Sequence, residues 1–215
     1  MHSNVFMGRF LNCISDGDLF KKVFATILRI VAIVVAIGGL YLWIRLWSPV
    51  FHLGGFFAVV SGIIFQLILI VTIAMMVHIV WLRAGTIGDL QKADFTVIPI
   101  SSILLKMTGE LYVVIFVPLS IGGGIGIWLG GGNLMYFVNR FLVFLPELPF
   151  DFMRGGESSF LGGLLFIVGG IVAAFLSLVF FYLLAEMLVV AVDIARNIKV
   201  TREIAEGYKK PEAAI

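Results

Sequence analysis

The sequence predicts an all-α integral membrane protein with four transmembrane helices, arranged as two tandem parallel-repeat hairpins with cytoplasmic N and C termini. Three observations lead there. Of 215 residues, 61% are hydrophobic and 13% are charged. That is about half the charge of a soluble domain, with too little polar surface to cover a water-soluble globule. Four stretches reach the roughly 20 apolar residues that a spanning helix needs. Basic residues gather beside one set of helix ends. The composition excludes a soluble enzyme, a disordered tail and a disulfide scaffold, and a formal net charge of +2 gives no basis for nucleic-acid binding.

Residues 1–22 are a cytoplasmic N-terminal segment. Val5, Phe6, Phe10, Cys13 and Ile14, with Arg9 among them, are expected to form a short interfacial helix, and Asp16 or Asp18 caps the helix that follows. Charged residues extend to Lys22, and no small-residue cleavage site follows a short apolar core. The first span is therefore expected to remain as a signal-anchor. Cys13 is the one cysteine, which excludes an intramolecular disulfide and is expected to be a free thiol.

Residues 23–97 form the first hairpin and its cytoplasmic connection, with spans at about 23–47 and 56–82. Arg29 and Arg45 sit near the ends of the first span, and the second carries no formal charge. Residues 98–192 form the second hairpin, with spans at about 99–129 and 160–192. Continuous apolar runs of this length are helices, which satisfy every backbone group internally, whereas membrane β-strands alternate in short segments. The outer loop, 130–159, contains an apolar stretch at 134–145 that is too short to span and is expected as an interfacial helix ended by Pro146 and Pro149. Its aromatics, among them Tyr136, Phe137, Phe141 and Phe144, suit lipid contact or a partner surface. Residues 193–215 are a basic cytoplasmic tail. It begins as a helical extension with Ile194, Ile198 and Ala205 on a narrow apolar stripe.

Orientation follows from the basic residues. Arg9, Lys21, Lys22, Arg29, Arg83, Lys92, Lys106, Arg196, Lys199, Arg202, Lys209 and Lys210 fall on one side, against Arg45, Arg140 and Arg154 on the other. Trp43, Trp47 and Trp128 fall at outer ends and Trp81 at an inner end, where amphipathic rings meet headgroups.

The two hairpins share a repeat. Residues 53–64 and 161–172 both open on Leu-Gly-Gly and agree at six of twelve positions at a shift of 108, which sets His78 opposite Glu186. At a shift of 84, Lys22 matches Lys106 and 37–39 matches 121–123. Both halves run inside–outside–inside, so the repeat is parallel.

Membrane helices associate through close packing at small residues. Gly122, Gly126 and Gly130 recur every fourth residue in the third span. Gly162, Gly163, Gly169 and Gly170 mark the fourth, where Gly169, Ala173 and Ser177 continue a small-residue face. Gly54, Gly55 and Gly62, with Ser61, mark the second. These glycines are expected to pack the helices together. Pro118 cannot donate a backbone N–H and acts as a fixed bend or a hinge in the third span.

Charges inside a bilayer cost about 2.5–3.5 kcal/mol at a helix centre, so each needs a partner or an exit. Lys106 and Glu110, four apart, are expected to pair. With His78 and Glu186 they form an intramembrane polar cluster on the cytoplasmic side, either a set of structural pairs or a proton or ion relay. No catalytic motif, metal-ligand spacing or cofactor fingerprint is present: there is no HExxH, GxSxG or P-loop, and the three histidines are scattered at positions 2, 52 and 78. The expected role is non-catalytic, a packing or accessory subunit of a larger membrane complex, with a small ion- or proton-coupled channel or transporter as the alternative. The expected partners are the lipid bilayer, other membrane subunits or a second copy, and anionic lipid headgroups at the tail. A bacterial inner membrane fits the basic bias.

Overall fold

A computed structural model describes residues 18–52, 55–90, 97–129 and 160–208, all helical apart from their ends and connections. The elements are α1 (Asp18–Arg45), α2 (Trp47–Phe51), α3 (Phe56–Gly88), α4 (Val97–Trp128) and α5 (Phe160–Tyr208). Four helices are long and apolar enough to cross a membrane, Leu19–Phe51, Phe56–Gly88, Val97–Trp128 and Phe160–Ala205, which makes this a multi-pass membrane architecture. The expected interfacial helices at 5–14 and 134–145, Cys13, Gly54 and Gly130 lie outside the described residues.

The helices are longer than the apolar runs alone suggest. α3 continues past position 82 to Gly88, because Ala84 and Ile87 remain fully buried and extend its packed face beyond Arg83. α5 has 49 residues and is about 73 Å long at 1.5 Å per residue, against a hydrocarbon core of about 30 Å. It passes from the fourth apolar run into the tail without a break. α4 is continuous through Pro118.

α1 passes into α2 with hardly an interruption, since Leu46 still donates to the Leu42 carbonyl at 3.0 Å. Pro49 is tolerated because it falls in the first turn of α2, where backbone N–H groups have no helical acceptor. Leu46 and Val50 turn inward and are fully buried. They form one core cluster with Phe65, Leu69, Ile73 and Leu119. A second cluster, at the other end, joins Ala25, Leu28 and Ala32 of α1 to Val80, Ala84 and Ile87 of α3 and to Ile100 and Met107 of α4.

Packing follows chain order. α4 and α5 share the most extensive contact, α1 packs on α3, and α3 joins the two pairs through α4. The four long helices form a row with α1 and α5 at its edges. Accordingly the apolar stretch of α4 is the most buried of the four and that of α5 the least.

Gly55 has a different task from its counterpart in the sequence repeat. It enters α3 with φ +97°, and a Cβ there would meet nothing within 4 Å. Its value is therefore backbone freedom in a left-handed turn, and it packs no helix. Gly163, at the shift of 108, lies inside α5 and is buried in a helix contact.

Candidate functional site

The α4–α5 seam sets the geometry. A Cβ on Gly124 would lie 2.9 Å from the Gly163 carbonyl oxygen, and one on Gly163 would lie 2.8 Å from that of Gly124. The two backbones are in direct contact. The Trp128 indole covers Gly163 and donates from Nε1 to the Phe160 carbonyl at 2.9 Å. Further along, Gly170 lies against Ser120, and Gly109 accommodates Phe181, whose Cβ would be 3.0 Å away from an added methyl. Gly163, Gly170, Ala174, Phe181 and Ala185 thus form the α4-facing stripe of α5.

The expected stripes are only partly those that pack. Gly122 faces α3, where an added Cβ would come within 2.8 Å of Phe65 Cδ2, and Gly126 is buried one turn on. Gly124, two residues from Gly122 and hence on the opposite side of α4, makes the α5 contact. Gly169 faces outward with nothing within 4 Å of a Cβ, so the seam runs through Gly170 and Ala174 rather than Gly169, Ala173 and Ser177. Gly162 is half-buried and Gly62 is buried in α3. Gly39 of α1 and Gly109 of α4 are close-approach positions that no stripe marks. Each is legible only as a glycine inside an apolar helix.

The ionisable cluster has a different membership from the one expected. Glu110 pairs with Arg83 of α3, not with Lys106. Arg83 donates from Nε to Glu110 Oε2 at 2.9 Å and from Nη2 to Oε1. Tyr182 of α5 adds a hydroxyl donor to Oε1 at 2.8 Å. One carboxylate therefore ties together α3, α4 and α5. Lys106 Nζ stands 5.4 Å from the centroid of the Tyr182 ring. On α1 a parallel contact puts the Arg29 guanidinium 5.9 Å from the Trp81 ring centroid. His78 and Glu186 are exposed, and neither forms a hydrogen bond or ion pair with Glu110. Glu186 instead borders a shallow groove on the surface of α5 itself, beside Leu183, Met187 and Val190.

Sequence reasoning placed Arg83 only among the charges of the inner connection and gave Tyr182 no role. A signal for Arg83 exists, because a carboxylate within an apolar helix requires a cation from a neighbouring helix at its own depth. That depth is set by the aromatic end of the row. Trp43 stands edge-on to Trp47, which stacks on Phe51, and Trp128 stacks on Phe160. From Trp128 back to Glu110 is about 27 Å of helix, and from Phe160 to Tyr182 about 33 Å. Those distances bracket the roughly 30 Å hydrocarbon thickness. Glu110 and Tyr182 therefore stand about one hydrocarbon thickness along their helices from the Trp128–Phe160 stack.

Between these levels the buried polar groups are mostly satisfied within their own helices. Ser61 donates to the Ala58 carbonyl, Thr72 to Ile68 and Ser120 to Val117. Gln66 is the exception: its side chain is fully buried, and both amide atoms lack a hydrogen-bond partner. Its main-chain carbonyl does accept the Trp43 indole N–H at 3.0 Å. Among the described residues no three His, Cys, Asp or Glu side chains are placed to hold a metal ion. Chemically, the cluster pins three helices and presents two cations to one anion. Comparison with protein-family models, curated proteins and solved structures returns no match.

Proposed function

We propose that the chain is a packing subunit of a larger membrane assembly, built from two repeated hairpins with both termini on the cytoplasmic side of a bacterial inner membrane. The observation that carries this reading is the outward face of α5. Met187, Val190, Ile194 and Ile198 recur at three- and four-residue intervals on the side of α5 away from its α4-facing stripe, and Ala205 follows two turns on. All are exposed, Ile198 by 64%. Of the five charged residues from Asp193 to Glu203, Arg202 falls one turn beyond Ile198 at the edge of this stripe and the other four lie off it.

Lipid is sufficient cover for the stripe within the bilayer. It is not sufficient beyond, because α5 continues about 39 Å past Tyr182, which already sits at the membrane boundary. An unbroken helix of that length carries Ile194 and Ile198 out of the hydrocarbon, where exposed apolar side chains favour protein contact. An apolar stripe that crosses the boundary, with Glu186 and Arg202 at its edges, suits a helix of another subunit that crosses it too. For the channel or transporter alternative, the carboxylate of Glu110 is already engaged by Arg83 and Tyr182.

The test is gentle detergent extraction followed by native mass spectrometry. A stoichiometric partner should be retained by the wild type and released by the double variant Ile194→Glu, Ile198→Glu, with the thermal melt of the released chain unchanged. A chain recovered alone, or only as a homo-oligomer, overturns the subunit reading. Proton or ion flux in proteoliposomes that is lost in Glu110→Gln or Glu186→Gln favours the transport alternative.

A further inference from the structure

We propose that Lys106, held over the Tyr182 ring beside the Arg83–Glu110 pair, binds the phosphate of an anionic lipid headgroup at the basic boundary of the helix row. This rests on the membrane architecture and not on the subunit reading.

Charge balance comes first. Arg83 and Lys106 bring two positive charges to the one negative charge of Glu110. The carboxylate already accepts two bonds from Arg83 and one from Tyr182. Lys106 forms no ion pair with any described residue, yet it is half-buried. Its nearest carboxylate, Glu110, is shared with Arg83, so this partly buried ammonium still has room for a counter-charge from outside the chain.

Position identifies the source. Glu110 lies about 27 Å of helix from Trp128, and Lys106 stands one turn, about 6 Å, further toward the basic end. Given a hydrocarbon core of about 30 Å, the Lys106 ammonium is at the depth of the phosphate layer. The aromatic face of Tyr182 restrains its direction through a cation–π contact. Tyr182 is in turn held by its hydroxyl on Glu110. The site is thus assembled from three helices. Long basic side chains commonly snorkel toward water, but this one is fixed against a ring that is itself hydrogen-bonded.

Arg29 repeats the arrangement on the α1–α3 side. It is a cation over an interfacial aromatic, Trp81, with no acidic partner among the described residues. The two contacts lie at the same boundary, so headgroup phosphates have two footholds around the row.

The experiment uses the full chain in nanodiscs of phosphatidylcholine, with and without phosphatidylglycerol, followed by native mass spectrometry of the lipid retained after mild delipidation. The wild type should retain phosphatidylglycerol. Lys106→Gln should weaken that retention about fivefold, the effect of one basic residue near an anionic surface. Lys199→Gln, on the exposed tail helix, should weaken it less than Lys106→Gln does, and Lys106→Arg should preserve it. In the unsubstituted protein, an amine-reactive reagent should modify Lys106 more slowly when phosphatidylglycerol is present, which tests the site without any variant. Unchanged retention in Lys106→Gln, equal losses in Lys106→Gln and Lys199→Gln, or no protection of Lys106 overturns the proposal. So does inorganic phosphate protecting Lys106 in pure phosphatidylcholine as well as phosphatidylglycerol does, since the ligand is then a free anion.

Discussion

Substituting alanine for Gly163 places a methyl group where the α4 backbone already is. The new Cβ would stand 2.8 Å from the Gly124 carbonyl oxygen, where ordinary contact begins at 3.4 Å, and it would also strike the Trp128 indole. A carbonyl in a helix cannot rotate away, so α4 and α5 must separate by about 0.6 Å at this crossing. Overpacking of this kind costs about 1–3 kcal/mol. Displacing the indole also disturbs its bond to the Phe160 carbonyl, worth about 0.5–1.5 kcal/mol. The sum, about 1.5–4.5 kcal/mol, lowers the Tm by roughly 3–18 °C for a chain of this size. Gly169→Ala is the matched control, six residues on in the same helix. Its Cβ meets nothing within 4 Å, and alanine favours the helix by up to about 1 kcal/mol. Thermal melts of both variants in one mild detergent read the difference. If the two melt together, or Gly169→Ala melts lower, the assignment of faces on α5 is wrong.

Three other substitutions probe separate parts of the row. A double-mutant cycle on Arg83→Gln and Glu110→Gln should show a coupling of about 1–2 kcal/mol, because the bidentate pair is only partly exposed; additivity would mean that the ion pair contributes nothing. Gln66→Leu should raise the melting temperature by removing a fully buried amide that lacks partners, a gain of about 1–3 kcal/mol, and a lower melting temperature would show that the amide is engaged. Gly55→Ala should destabilise by about 1 kcal/mol through its positive φ although the space is open, and an unchanged melt would place the cost elsewhere.

The residues differ in how much of this was visible before folding. Span number and approximate limits are local properties, since twenty successive apolar residues suffice to require a helix whatever lies beside them. The placement of Trp43, Trp47 and Trp128 at one end, and Trp81 at the other, is equally readable by counting along a helix. Which glycine touches which neighbour is not local. Gly122, Gly123 and Gly124 look interchangeable in sequence, yet Gly122 meets Phe65 of α3 and Gly124 meets the backbone of α5. Successive residues differ by about 100° around a helix, so the rotation of α4 decides the assignment. The Leu-Gly-Gly repeat shows the same limit. Equivalent glycines serve as a positive-φ helix entry at position 55 and as a packing surface at 163.

The ionisable residues follow the same division. From the sequence, Glu110 needed a cation, and Lys106, four residues away, was the nearest along the chain. In space Arg83 reaches it from α3 with two parallel donors, a geometry that an ammonium cannot supply, and Tyr182 completes the carboxylate from α5. His78 and Glu186 share a depth with each other in sequence but face outward.

What the sequence determined by itself is the solvent: its apolar runs and their length call for a membrane and four crossings, because hydrophobicity accumulates along a chain independently of its fold. What only the tertiary structure decided is the choice of partners, which face of α5 lies on α4 and which remains open, and which cation answers Glu110. Those depend on the relative rotation of packed helices, and side chains distant in sequence are brought to one depth only when the helices stand side by side.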